Sequence, residues 1–229
     1  SSLVYLPAEK LGVVILANED IANGRVRRMN RAALSLLLEA KLGEAPPVEP
    51  ASTETVSPAE FAGDYESVSF WGRLEVWEGR LIGDLSGQPA RFTARGPMEF
   101  VVDTRLDDAA PVIFERDGDG RVAGFTYADQ RFQRARRDRP SLPPEWRARL
   151  GVYGESFLPV VLHERWGRLY ATTENMVDYV LTPVNRQVCA FPPGLYVDEQ
   201  VVFLPGPDGR TVALDFANMI QTRRPEVRP

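Results

Sequence analysis

The chain has 229 residues, of which 44% are hydrophobic and 10% aromatic, so it can form packed cores and is not disordered by composition. Its formal net charge of −5 argues against a general nucleic-acid-binding protein, because phosphate affinity needs clustered positive charge. No stretch approaches the roughly 18 apolar residues of a membrane span, and the compartment stays open between cytoplasm and export.

The first predicted element is a β-hairpin. Leu3–Leu6 and Leu11–Ala17 are short apolar runs joined by a turn that contains proline. The continuous second run is typical of a strand that is buried on both faces. Because Ser1 and Ser2 lead directly into an apolar strand, we expect the chain to be a fragment of a longer protein.

An amphipathic helix is predicted next, from about Arg25 to Lys41. Asn23 is the expected N-cap residue, and Gly43 lies where a left-handed residue is expected after the helix. Residues spaced three and four apart form the expected apolar face: Met29, Ala32, Ala33, Leu36, Leu37 and Ala40.

Short strands separated by Gly, Pro and Asp turns fill the rest of the chain, which is typical of small barrels or sandwiches. One register aligns the two halves of this region, with a single-residue slip, and predicts an internal duplication with hairpin turns at the glycines. The matched segments are Gly63–Tyr65 with Gly151–Tyr153, Gly79–Leu81 with Gly167–Leu169, Asp119–Arg121 with Asp208–Arg210, and Arg134 with Arg223. The clearest strands are Arg73–Trp77, Glu99–Val102, Val112–Phe114, Gln200–Leu204 and Thr211–Phe216.

The hairpin also carries a resemblance to a known family. Ser1–Pro7 (SSLVYLP) and Leu11–Asp20 (LGVVILANED) resemble the end of the catalytic domain of the penicillin-recognising serine hydrolases. That superfamily includes class C β-lactamases, penicillin-binding proteins, D-aminopeptidases and related esterases. Phe61–Glu66 (FAGDYE) is similar to the opening of the lipocalin-like barrel domains that follow the catalytic domain in some relatives.

The resemblance implies a parent enzyme whose N-terminal catalytic domain is the partner of this chain. The catalytic residues themselves are missing from the sequence. The family's chemistry needs a serine nucleophile with a lysine three residues later to take the hydroxyl proton, and neither Ser-x-x-Lys nor Tyr-x-Asn occurs. We therefore expect no enzymatic activity from this chain alone, and assign it no catalytic, cofactor-binding or metal-binding residue.

The predicted fold class is mainly β, with two tandem antiparallel barrels of about eight strands each after a hairpin and one helix. Residues 1–45 are expected to be the terminal hairpin and helix of the catalytic domain. A Pro-rich linker, 46–56, precedes a first barrel over 57–137 and a second over 138–229. The predicted role is to shape substrate access to the parent enzyme or its assembly.

For the isolated reactive side chains we expect structural roles rather than catalytic or metal-binding ones. His163, the one histidine, is expected to be an ordinary half-exposed residue in a strand rather than part of a Ser-His-Asp triad. Asp117–Gly120 lacks the EF-hand ligand pattern and is expected to be a turn. Cys189 is expected to be a buried thiol, and the adjacent Asp107 and Asp108 to be solvated loop charges.

Seven arginines cluster around the predicted boundary between the barrels. We expect them to pair with acidic surfaces of neighbouring domains, and a basic patch for an anionic partner is the alternative. They are Arg131, Arg134, Arg136, Arg137, Arg139, Arg147 and Arg149.

Six aromatic side chains are candidates to line a barrel cavity, and the alternative function is therefore lipocalin-like binding of a small apolar ligand. Side chains usually fill barrels this small, so core packing is the expected outcome. The six aromatic residues are Trp71, Trp77, Tyr127, Trp166, Tyr170 and Phe216.

A third alternative is an assembly module, because a hairpin with open edges seeks a partner and favours a homo-oligomer.

Overall fold

The fold is mainly β, with a hairpin and one long helix followed by two eight-stranded barrel-like sheets, and this confirms the predicted fold class. None of the helices in the described part of the chain is both long and apolar enough to cross a membrane. Most of the predicted linker, 46–56, lies outside the described residues. The computed structural model describes residues 1–43, 56–136, 138–193 and 198–225.

Contacts divide the chain into two compact units, and each unit consists of two segments that are separate in the sequence. The first unit holds the hairpin, the long helix and most of the first barrel. The second unit holds the last sheet together with two segments of the first barrel, which contain most of its first strand and all of its last strand. Their ranges are Ser1–Gly63 with Arg73–Asp129, and Asp64–Gly72 with Gln130–Pro229.

The hairpin consists of β1 (Ser2–Leu6) and β2 (Leu11–Ile15), which pair antiparallel. Alternate residues on one face are half-buried, and the helix packs on this hairpin. The other face exposes Leu3, Tyr5 and Val14. The expectation that the second strand is buried on both faces is therefore wrong, because a helix covers only one face of this two-stranded sheet.

Helix α1 spans Asn23–Leu42. It ends as predicted at Gly43, whose φ is 76° and whose N–H donates to the carbonyl of Glu39 at 2.8 Å. The predicted N-cap is wrong, because Asn23 is itself the first helical residue. The cap position is Ala22, whose side chain makes no hydrogen bond.

The helix packs with a different face from the one predicted. Val26 and Asn30 are buried, whereas Met29 and Leu36 of the expected apolar face are 56% and 67% exposed. The physical reason is that residues 32–38 are apolar at nearly every position, so the helix carries two apolar stripes. The hairpin packs against the stripe that continues from Val26 and Asn30.

The first barrel is closed, and its strands follow the order β10-β3-β4-β5-β6-β7-β8-β9. A 3-10 turn, Pro58–Glu60, precedes it and delivers Phe61 to a fully buried position. The Phe61 ring lies 4.9 Å and 4.6 Å from the rings of Phe100 and Phe114. The strands are β3 (Gly63–Glu66), β4 (Trp71–Trp77), β5 (Arg80–Leu85), β6 (Gln88–Ala94), β7 (Glu99–Asp103), β8 (Ala110–Arg116), β9 (Val122–Tyr127) and β10 (Gln130–Arg134).

The second sheet runs in strict sequence order from β11 to β18. Its two edges meet, because Tyr153 and Arg223 form an isolated bridge and the N–H of Gly154 donates to the carbonyl of Thr222 at 2.8 Å. A short helix, α2 (Pro144–Arg147), precedes the sheet. The strands are β11 (Gly151–Tyr153), β12 (Val160–Arg165), β13 (Arg168–Thr172), β14 (Asp178–Pro183), β15 (Val188–Ala190), β16 (Gln200–Pro205), β17 (Thr211–Phe216) and β18 (Met219–Thr222).

The sequence repeat has a structural counterpart in the turns. Gly79 and Gly167 both have φ of 72° and both close two-residue hairpins, as predicted. Gly120 and Gly209 both have φ of 78° in the matched Asp-Gly turns. Each half of the repeat therefore uses the same turn chemistry at the same place.

Candidate functional site

Asp178, at the start of β14, is a buried carboxylate that three side chains of its own unit bind. Trp71 Nε1 donates to Oδ2 at 2.7 Å, and Thr172 Oγ1 donates to Oδ1 at 2.5 Å. His163 Nε2 lies 3.2 Å from Oδ1. Burial raises the pKa of Asp178, but the hydrogen bonds that the carboxylate accepts outweigh burial and hold that pKa below its ordinary value. Asp178 is therefore ionised at neutral pH, and both of its carboxylate oxygens have polar partners.

His163 lies on β12, and its side chain is 29% exposed, which confirms the expected half-exposed position in a strand. Its ring stacks on Tyr170 with a centroid distance of 5.7 Å and an interplanar angle of 16°. A catalytic triad needs a serine hydroxyl within hydrogen-bond reach of the imidazole. Among the described residues, the polar side chain in contact with Nε2 of His163 is that of Asp178.

Glu66 is a second acidic centre of the same unit, and its side chain is 10% exposed. Arg139 approaches both of its carboxylate oxygens, at 2.5 Å and 2.6 Å, and Arg168 lies 3.5 Å away. Burial raises the pKa of Glu66, but the hydrogen bond and charge of Arg139 more than compensate, so the pKa is lowered. The two-point contact fits the fork geometry of a guanidinium.

Asp107 and Asp108 are not the solvated loop charges that the sequence predicts. Arg27 Nη1 lies 2.5 Å from Asp107, while Arg28 and Arg31 lie 3.0 Å and 2.9 Å from Asp108. The Asp108 side chain is only 3% exposed. The reason is that α1 packs on this loop within the first unit, which local sequence does not reveal.

The loop that begins at Asp117 is a turn, as expected. Asp117 Oδ1 accepts the backbone N–H groups of Asp119 and Arg121 at 3.0 Å and 2.9 Å, so the carboxylate caps the hairpin. Within the described ranges, no group of three or more His, Cys, Asp or Glu side chains is arranged to hold a metal ion.

Side chains fill the interior of the second sheet. Cys189 is buried there, as predicted, and burial raises the pKa of its thiol to about 12. The six candidate aromatic residues do not line one cavity: Trp77 is 59% exposed, whereas Trp71 and Tyr170 form a small core cluster with Val180. This packing does not favour the lipocalin-like alternative. The main interior cluster includes Tyr153, Leu162, Leu169, Leu181, Phe203, Leu214 and Phe216.

The arginines of this set that the structure describes do not share one partner. Arg134 lies over the ring of Tyr65, with its guanidinium carbon 4.6 Å from the ring centroid. Arg137 lies outside the described residues. Arg149 makes no ion pair within the described part of the chain. The ion pairs that the others form are Arg136–Asp138, Arg139–Glu66 and Arg147–Glu164.

A groove that the sequence did not predict brings Arg149 together with arginines that are distant in sequence. It lies between α2, the turn between β16 and β17, and the end of β18, and its volume is about 1080 Å³. The sequence signal for this groove was the internal repeat, which matches Arg223 with Arg134. Closure of the second sheet places Arg223 beside the first strand of that sheet. The charged lining residues are Glu145, Arg149, Asp208, Arg210, Arg223 and Arg224.

No protein-family model matches the sequence, and no curated protein is significantly similar to it. The resemblance to the penicillin-recognising hydrolases therefore stays a prediction that rests on the hairpin residues. What the chain does must follow from its fold and its surfaces.

Proposed function

We propose that this chain is a non-catalytic C-terminal part of a serine hydrolase related to the penicillin-recognising enzymes, and that its barrels shape substrate access to that enzyme or its assembly. The observation that carries the proposal is the apolar outer face of the hairpin. Leu3, Tyr5, Val14 and Leu16 are 71%, 55%, 62% and 80% exposed.

A two-stranded sheet of this kind is marginally stable in water, and an apolar face is normally covered. Helix α1 covers one face only, and its second apolar stripe, with Met29 and Leu36, is also open. The larger sheet of a catalytic domain supplies the missing strands and the missing layer. The resemblance of the hairpin to the end of that sheet is the reason for choosing this partner.

The chemistry of the described residues supports a structural rather than a catalytic role. Asp178 is buried and Glu66 is half-buried, and tryptophan, threonine, histidine and arginine side chains bind them. Cys189 is buried and its raised pKa keeps it a thiol, which is unreactive. A module with packed interiors and satisfied acidic groups acts through its surface.

The first experiment tests catalytic silence. The purified chain is incubated with a chromogenic cephalosporin, a p-nitrophenyl ester and a fluorescent penicillin. We expect no turnover above a buffer blank and no covalent adduct in the intact mass. Turnover that disappears in His163→Gln, the variant of the one histidine, would overturn the proposal, because activity from a contaminant would persist in that variant.

The second experiment tests the hairpin surface. Leu3→Ser with Val14→Thr should leave the circular dichroism spectrum unchanged and should abolish binding of the chain to the separately expressed catalytic domain of its own reading frame. Phe157→Ser is the matched control, since Phe157 is 83% exposed outside the hairpin. Equal binding by the double variant and the native chain would contradict the proposed partner surface.

A further inference from the structure

We propose that the groove beside α2 binds a small organic anion with two or more oxyanion groups, held by Arg149, Arg223 and Arg224. All three side chains line the groove. A guanidinium presents a planar fork of donors that matches carboxylate and phosphate oxygens. The inference is independent of the proposed function, because it concerns a different surface from the hairpin.

The first observation is a pair of unused donors. Nη1 of Arg149 and Nη2 of Arg224 are both buried and have no hydrogen-bond partner in the described part of the chain. A buried N–H of a charged group that lacks a partner is costly, so such groups are rare without a function. Both guanidiniums line one groove, so a small rotation of either side chain would bring an unused donor to an oxyanion bound there.

The second observation is uncompensated charge. Arg223 donates to the carbonyls of Ala148 and Leu150 at 3.0 Å and 2.8 Å, and Arg224 donates to Gly154 at 2.5 Å. Carbonyl oxygens orient a guanidinium but do not neutralise it. Within the described ranges no carboxylate forms an ion pair with either arginine.

The two acidic residues of the lining do not cancel this charge. Asp208 lies 3.7 Å from Arg210, whose side chain is 86% exposed at the rim. Glu145 affects Arg149 only through its electrostatic field. Burial is the dominant influence, and it lowers the pKa of the Arg149 guanidinium. An anion bound at Arg149 restores the stabilisation that burial removes.

The third observation is the contrast with the first repeat. Arg149 stands two residues before the matched glycine of its repeat, where the first repeat has Phe61. Phe61 is fully buried against Phe114, with ring centroids 4.6 Å apart. Arg149 places its guanidinium 4.5 Å from the ring of Phe203 instead. The second repeat therefore has a cation at the position where the first repeat has a core phenylalanine.

The volume of the groove and the net charge of the chain limit the class of ligand that fits. A volume of about 1080 Å³ exceeds the needs of a single phosphate and suits a small organic molecule. A long polyanion is disfavoured, because the chain as a whole carries a net charge of −5. A compact tricarboxylate or a phosphorylated metabolite fits both conditions.

The experiment measures binding of citrate, inorganic pyrophosphate and glucose to the full chain by calorimetry and thermal melting, with ionic strength held constant by sodium chloride. We expect saturable binding of citrate or pyrophosphate, a rise in melting temperature, and no effect of glucose. The anion that binds more tightly identifies carboxylate or phosphate as the preferred group. Absence of saturable binding by both anions would overturn the inference.

Variants locate the site. Arg223→Gln should weaken binding several-fold, whereas Arg134→Gln, the equivalent change in the first repeat and outside the groove, should not, and circular dichroism checks that both variants fold. Arg149→Phe, which restores the residue of the first repeat, should reduce affinity more than tenfold. Equal affinity of the Arg223 and Arg134 variants, or tighter binding of heparin than of citrate, would contradict a groove for a small anion.

Discussion

Arg223 lies over the buried ring of Tyr153, with its guanidinium carbon 5.8 Å from the ring centroid, at the seam that joins the two edges of the second sheet. The same relationship joins Arg134 to Tyr65, at 4.6 Å, where β10 pairs with β3. Both tyrosines are fully buried. A cation over an aromatic ring therefore marks the closure of each repeat, and the sequence duplication is also a duplication of this contact.

Two of the buried tyrosines of the second unit, Tyr153 and Tyr170, should respond differently to removal of the hydroxyl group. The hydroxyl of Tyr153 donates to the carbonyl of Arg149 at 2.6 Å, so Tyr153→Phe should lower the free energy of unfolding by about 1 kcal/mol. The Tyr170 hydroxyl is buried without a hydrogen-bond partner in the described ranges, so Tyr170→Phe should leave stability unchanged or raise it. Urea unfolding followed by tryptophan fluorescence measures both, and a larger loss for Tyr170→Phe would contradict the assignment.

The two matched turn glycines should differ in their tolerance of a side chain. At Gly79 an added Cβ meets open space, so Gly79→Ala should cost only the left-handed strain of about 1–2 kcal/mol. At Gly167 the Cβ would lie 2.2 Å from the carbonyl oxygen of Pro140, which adds overpacking of about 1–3 kcal/mol. Chemical denaturation of both variants tests this, and equal losses would show that the Pro140 contact does not constrain the turn.

The buried carboxylate of Asp178 should make stability depend on acid pH. Its folded pKa lies below its unfolded pKa of about 3.9, so its contribution is fully present above about pH 4 and is lost as the pH falls through the folded pKa. Asp178→Asn should therefore lower the free energy of unfolding at pH 7 by about 2 kcal/mol, and this difference from the native chain should shrink below about pH 4.

The control for that prediction is Asp138→Asn. Asp138 pairs with Arg136, but its side chain is 72% exposed, so solvent screens the pair. Unfolding curves recorded between pH 7 and pH 3 should show no difference between this variant and the native chain. A loss in Asp178→Asn that is the same at every pH in this range would show that the ionised form of Asp178 is not what stabilises the fold.

The outer face of the hairpin should cause self-association when its partner is absent. Light scattering of the native chain should show association that rises with concentration, together with binding of an apolar dye. Tyr5→Thr with Val14→Thr should reduce both, because the two side chains are 55% and 62% exposed on this face. A native chain that stays monomeric and binds no dye would indicate that this face needs no cover.

Local chemistry made the strands and turns predictable from the sequence. The five strands chosen by their β-branched and aromatic residues are all present, among them β17 over its whole predicted length, Thr211–Phe216. Gly79 and Gly167 mark hairpins because a left-handed backbone is needed there. These features depend only on neighbouring residues, so one sequence is sufficient to predict them.

Packing between elements that are distant in sequence was not predictable in the same way. Residues 32–38 allow α1 two apolar faces, and only the hairpin decides which one is buried. Asp108 became buried because α1 packs on its loop. The short helix Pro144–Arg147 carries too few residues for a periodic signal. The arginine groove depends on the closure of a sheet whose ends lie far apart in sequence.

The most direct test of the account is to determine the complete reading frame that encodes this chain and to label its protein product with a fluorescent penicillin. The account predicts a Ser-x-x-Lys and a Tyr-x-Asn motif on the N-terminal side of Leu3, and labelling that maps to that serine and to no residue of the present chain. A complete reading frame without these motifs, or a label attached within residues 1–229, would contradict it.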